Sequence, residues 1–219
     1  MWRGRIIATT LLVLAALLPQ TQAPAHASDT LRIVVVGDSL SAGYGVAAQD
    51  AFPAKLEAAL KENGHDVLVE NAGVSGDTTA GGRARLGWAI GNNPDAVVLE
   101  LGANDALRGL LPEKAYANLA AMLTVMRDKN IPVLLIGMKA PPNMGEDYAR
   151  EFDAVYSRLA DAYDVVFYPF FLKGVAGQPS LNQDDGIHPT PEGVDVIVKN
   201  VLPSVEALLE RAKAAKERS

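Results

Sequence analysis

The 219-residue chain contains no cysteine. That one absence excludes disulfides, thiolate metal sites and a cysteine nucleophile together. Histidine is nearly as scarce, with only His26, His65 and His188. Histidines so few and so far apart argue against a His-rich metal centre, although Asp and Glu sites stay open. Positive charge is also in deficit: 20 Lys and Arg stand against 26 Asp and Glu, a net charge of -6. An acidic chain is a poor match for phosphate backbones or anionic lipid, so neither nucleic acid nor electrostatic membrane binding is expected. No apolar run reaches the roughly 20 residues needed to cross a hydrocarbon core.

The N-terminus has its own composition. Arg3 and Arg5 precede an apolar run from Ile6 to Leu18, and Ala25-His26-Ala27 follows. This is the layout of a secretory signal peptide with small residues at its cleavage site. Residues 1–27 are therefore expected to be removed, with cleavage after Ala27. Two Arg and no acid leave with them, so the charge of the remainder goes from -6 to -8. No Cys follows the apolar run, which excludes lipid attachment at the new terminus. Residues 28–219 suit one domain with a proper core, holding no further membrane segment.

Within that domain, short apolar runs alternate with helical patterns. Leu31–Val36 is a continuous β-prone run, as in a strand buried on both faces. Asp66–Glu70, Asp95–Leu101, Val133–Gly137 and Val165–Phe167 read as four more strands. Helices are expected over Ala51–Glu62, capped by Asp50 with Pro53 in the first turn, and over Arg83–Ile90. Others cover Pro112–Lys129, Glu146–Tyr163 and a last stretch from the Thr190 cap to Ala215. Tyr116, Leu119, Leu123 and Met126 fall at helical spacing and predict one buried face. The alternation implies an α/β fold: a three-layer α/β/α sandwich on a mostly parallel five-stranded sheet. Ligands of such sheets sit beyond the carboxyl ends of the strands. Pro141-Pro142-Asn143 and Lys173–Gln183 are the longest irregular segments and are candidates to face a substrate.

Four segments carry possible chemistry. Gly37-Asp38-Ser39-Leu40-Ser41 follows the first strand directly. A Ser at a strand-to-helix turn points its hydroxyl out of the sheet, and the N–H groups of a helix start meet negative charge. A plain Ser N-cap would look the same. The spacing of Gly37, Gly43 and Gly45 matches neither a dinucleotide loop nor a Walker loop. Asn71–Thr78 follows the second strand, where the Gly76 N–H can serve an oxyanion or simply belong to a Gly-rich turn. Gly102-Ala103-Asn104-Asp105 follows the third. The Asn104 amide is a neutral donor suited to an oxyanion, and equally to capping the next turn. In Asp184-Asp185-Gly186-Ile187-His188-Pro189, a carboxylate ahead of the His can hold Nδ1 and leave Nε2 as a base toward Ser. His65 follows Asn63-Gly64 and is expected to be merely exposed.

Jointly these blocks resemble those of the GDSL, or SGNH, hydrolases, and they occur in that family's order. Ser39, Gly76, Asn104 and His188 match the four residues that name it. The chain is most similar to the bacterial periplasmic thioesterase I / lysophospholipase / arylesterase group. The supporting runs are Gly37–Gly45, Ser75–Thr79, Glu100–Gly109 and Asp184–Pro189. The resemblance implies a flavodoxin-like SGNH fold and an acyl-enzyme on Ser39, with Asp185, rather than Asp184, and His188 completing a triad. It implies an oxyanion hole from Ser39, Gly76 and Asn104, no cofactor, no metal, and a small acyl ester, thioester or lysophospholipid as substrate. It gives no oligomeric state. Asp38 is expected to cap and shape the turn, and Asp105 to organise its loop. The segment Met138–Gly145 departs most from the family pattern and lies where such enzymes select the acyl chain. The same residues would serve a carbohydrate O-acetyl esterase or transferase. A non-catalytic acyl-binding protein of the periplasm is the reading from another class.

Overall fold

The computed structural model describes Met1 and residues 30–218. The expected leader and its cleavage site therefore lie, Met1 apart, outside the described residues. Five strands form one sheet: β1 (Leu31–Gly37), β2 (Val67–Gly73), β3 (Ala96–Glu100), β4 (Val133–Ile136) and β5 (Val166–Tyr168). The order is β2-β1-β3-β4-β5, and all four pairings are parallel. Among the described residues seven α-helices accompany them: α1 (Ser39–Ala42), α2 (Phe52–Glu62), α3 (Thr79–Ala89), α4 (Ala103–Leu107), α5 (Pro112–Asp128), α6 (Glu146–Ala162) and α7 (Pro191–Lys216).

α2 and α7 pack together on one side of the sheet, while α3, α5 and α6 pack in series on the other. This is the expected three-layer α/β/α sandwich. The central strands explain themselves. β3 and β4 are buried along their whole length, so a run such as Ala96–Leu99 has no solvent face to alternate toward. α7 shows the complementary pattern, burying Val194, Ile197, Val198, Val201, Val205 and Leu208 at steps of three and four. No helix among the described residues is long and apolar enough to cross a membrane.

Several boundaries differ from expectation, each for a local reason. Asp50 does not cap α2. It closes a short 3₁₀ turn, Ala51 is the N-cap without a side-chain bond, and Asp50 lies 3.5 Å from Lys55 Nζ. β2 runs on through Asn71-Ala72-Gly73, because the β1 edge continues to pair with it up to Gly37↔Gly73. α3 starts at Thr79, earlier than Arg83, because the Thr78 hydroxyl caps it by accepting from the Gly81 N–H at 3.3 Å. On α5, Tyr116 is only half-buried. The buried face is Ala115, Leu119, Met122, Leu123 and Met126, and the Tyr116 ring instead carries the Arg158 guanidinium 4.4 Å from its centroid. His65 is half-buried rather than exposed, with Nε2 3.6 Å from Glu206 Oε1 on α7.

Candidate active site

The register of the sheet builds the site. Gly37 pairs with Gly73 on one side and with Glu100 on the other, so β1, β2 and β3 end in one row. Ser39, Gly76 and Asn104 follow those three ends by two, three and four residues, which delivers them to one edge. His188 arrives from the long connection between β5 and α7. The chain therefore brings together, from four separate segments, every site residue expected from the sequence.

The distances define a relay. Ser39 Oγ lies 2.9 Å from His188 Nε2, and His188 Nδ1 lies 2.6 Å from Asp185 Oδ2. In one tautomer the Ser39 hydroxyl donates to Nε2 while Nδ1–H donates to Asp185. Asp185 Oδ1 also accepts the Ile187 and His188 N–H groups at 2.9 and 3.0 Å. These backbone bonds, and then the His188 ring, pull the Asp185 carboxyl down to about 2. Asp184 is exposed, and it is Asp185 that touches the histidine.

The competing capping roles fall elsewhere. The side chain that caps α1 is Asp38, which accepts the Leu40 N–H at 3.0 Å and leaves the Ser39 hydroxyl to His188. Ser39 opens the helix, so its own N–H is outside the intrahelical ladder. Asn104 does not cap α4, whose N-cap is Gly102. Its Nδ2 donates to Asp38 Oδ2 at 3.3 Å, across the strand ends. Gly76 turns the chain between β2 and α3 at φ +82°. Asp105 reaches beyond its own loop, accepting the Thr79 N–H and hydroxyl at 2.7 and 2.6 Å and so tying α4 to the start of α3.

Two supporting residues escaped the sequence reading. Arg85 on α3 donates to the carbonyls of Gly37 and Ala72 at 2.8 and 2.6 Å and to Asp77 at 2.5 Å, which fastens the ends of β1 and β2. Glu100 is wholly buried beneath the Ser39 turn, where its Oε2 accepts the Ser41 hydroxyl at 2.7 Å. Gly37 has to be glycine there, because a Cβ would stand 2.2 Å from Ser41 Oγ and 2.8 Å from Glu100 Oε2. A signal for Glu100 was present: it is the one charged residue in the apolar run Ala96–Leu101.

Burial first, and the neighbouring Asp38 carboxyl second, push the Glu100 carboxyl well above the usual range. Burial raises Asp38 as well. A raised native value means that the folded state holds its proton longer than the unfolded chain does. The contribution to stability is therefore complete at pH below the unfolded value and is lost as pH rises through the folded one. Glu100→Gln removes this titration. Its melting temperature relative to the parent is expected to improve steadily as pH rises above the ordinary carboxylate range, read by differential scanning fluorimetry. A gap that does not change with pH would show that Glu100 carries no such linkage.

The relay opens into a cleft of about 690 Å³. Ser39, Gly76, Asn104 and His188 line it together with Leu40, Met138, Pro141, Pro142, Phe170 and Leu172. Both irregular segments picked out in the sequence reach it, one through Pro141 and Pro142 and the other through Ala176, Gly177 and Asn182.

Comparison with known proteins supplies the family. Residues 35–196 match the GDSL-like Lipase/Acylhydrolase family. The chain belongs to that family. The arylesterase of Vibrio mimicus is 43% identical over 162 residues, covering 74% of this chain and 81% of its own. Thioesterase 1/protease 1/lysophospholipase L1 of Escherichia coli K12 is 39% identical over 186 residues, covering 83% and 87%. The crystal structure of TesA superposes with a TM-score of 0.78 at 41% identity, over 81% of this chain and 99% of that one. The fold is thus the SGNH hydrolase fold, and the chain is an ester hydrolase of that type.

Proposed function

We propose that the chain is a broad-specificity serine hydrolase of aryl esters, acyl thioesters and lysophospholipids, working through an acyl-enzyme on Ser39. The observation that carries this is the unbroken relay Ser39–His188–Asp185 at the head of an apolar cleft. His188 Nε2 takes the hydroxyl proton as Ser39 Oγ attacks the acyl carbonyl. The Ser39 and Gly76 N–H groups and the Asn104 amide receive the oxyanion. His188 returns the proton to the departing alcohol or thiol, and water repeats the sequence to free the acid. Asp185 holds the tautomer and faces the imidazolium.

The apolar wall supports an acyl chain as the recognised part. Each methylene buried there is worth about 0.8 kcal/mol, so kcat/KM is expected to rise about fourfold per methylene until the cleft is full. A series of p-nitrophenyl esters, acyl thioesters, lysophospholipids and acetylated sugars on one enzyme batch tests this. Acetylated sugars outrunning the longer acyl substrates would instead favour a carbohydrate deacetylase.

Residues 1–27 act as an export leader, and residues 28–219 are the working domain in the periplasm or outside the cell. Arg3, Arg5, the Ile6–Leu18 run and Ala25-His26-Ala27 support this reading. The intact mass of the exported protein checks it, since a species retaining residues 1–27 contradicts it.

A further inference from the structure

Two contacts around His188 have no part in the mechanism above. The first is a ring contact. Tyr44, on the turn after α1, lies with its ring centroid 4.5 Å from that of His188 at an interplanar angle of 37°. Tyr44 is 54% exposed, so its outer side meets solvent while its inner side covers the imidazole. The second is a three-way amide. Gln183 N–H donates to the His188 carbonyl at 2.7 Å. Its side-chain Nε2 donates both to the Pro189 carbonyl at 3.0 Å and to the Tyr44 carbonyl at 2.8 Å. One side chain thus closes the histidine loop on itself and fastens it to the segment that follows Ser39. An Asn182–Pro189 bridge and the Thr190 N–H on the Leu181 carbonyl at 3.0 Å complete the loop's base.

A relay needs this. Ser39 and His188 are 149 residues apart and share no element, so their 2.9 Å contact depends on how two loops are held together. Asp185 fixes the imidazole only at Nδ1, about which the ring can still pivot. A surface against the ring face and a tie across the loops remove that freedom. The π face of Tyr44 also meets the ring on which positive charge develops when His188 takes the Ser39 proton.

We infer that Tyr44 and Gln183 are positioning residues that jointly hold the His188 imidazole against Ser39, Tyr44 through its ring face and Gln183 through its two side-chain donor bonds. The inference rests on the proposed roles of Ser39 and His188. In the full chain, Tyr44→Leu is expected to lower kcat on p-nitrophenyl butyrate about tenfold, with little change in KM. Tyr44→Phe keeps the ring and is expected to stay within about twofold of the parent. Gln183→Leu keeps volume but loses both side-chain bonds, and should resemble Tyr44→Leu. Because both act on one imidazole, the double variant should lose less than the product of the single losses. Melting temperatures of the Tyr44 variants should stay within about 2 °C of the parent, which separates positioning from a fold defect.

A Tyr44→Leu variant that raises KM at unchanged kcat, or a Tyr44→Phe variant as impaired as Tyr44→Leu, overturns the inference. A control separates the positioning role from the underlying chemistry. Ser39→Ala and His188→Ala variants that retain turnover sink the underlying mechanism. If both are inactive while Tyr44→Leu keeps the parental kcat, only the positioning role is lost.

Discussion

Ser39→Ala is expected to lower kcat by about four to six orders of magnitude while leaving the fold and its melting temperature close to the parent. The two halves of this expectation have separate causes. Turnover is lost because the only atom deleted is the one 2.9 Å from His188 Nε2. The fold survives because, among the described residues, that hydroxyl bonds to no group but His188. The capping bond of α1 comes from Asp38, and the contact to the buried Glu100 comes from Ser41. Some rate over water should persist, since the proposed oxyanion donors and the cleft remain. A fluorophosphonate should label the parent at Ser39 and leave the variant unlabelled. A variant with turnover within about tenfold of the parent would remove Ser39 from the chemistry.

How far the sequence could carry this reading depended on the length scale of each signal. Long periodic segments were legible: α5, α6 and α7 and the buried β1, β3 and β4 fell within a residue or two of expectation. The one-turn helices α1 and α4 were not, because four or five residues hold too little periodicity to read. Yet these two short helices present Ser39 and Asn104. The start of α3 was hidden for another reason. Gly81 and Gly82 look like breakers, but a Cβ on Gly82 would stand 2.2 Å from Leu101 Cδ1, so close packing demands a glycine inside the helix. The residues expected in the site were legible through motif order. The groups beneath and beside them were not. Glu100, Arg85 and Gln183 act through contacts 59, 48 and 139 residues distant along the chain, to Ser41, Gly37 and Tyr44. Glu100, the lone charge in Ala96–Leu101, leaves a local mark, but its partner does not, and only the pairing of strand ends and loops brings these groups together.

Asn104→Ala is expected to lower kcat by about two to three orders of magnitude with a much smaller effect on KM. The backbone places this amide with little latitude. Gly102 makes the turn from β3 into α4 at φ +127°, and a Cβ there would stand 2.1 Å from the Tyr156 hydroxyl oxygen. Tyr156 is itself buried and donates to the Leu101 carbonyl at 2.9 Å, so the turn has no room to relax. Asn104 therefore projects from a rigid base into the cleft, beside Ser39 and Gly76. A neutral donor suits the position. Its Nδ2 already rests on the buried Asp38 carboxyl at 3.3 Å, and the proton not directed there is available to an oxyanion. The ground-state carbonyl gains little from it, whereas the tetrahedral state carries the charge it is aimed at, so the loss should appear in kcat. Asn104→Asp should be worse than Ala, because it replaces donors by a second carboxylate facing Asp38 and the oxyanion. Steady-state kinetics on p-nitrophenyl butyrate read the order directly: parent, then Ala, then Asp. A raised KM at constant kcat would make Asn104 a wall of the cleft and leave the oxyanion to the Ser39 and Gly76 N–H groups alone.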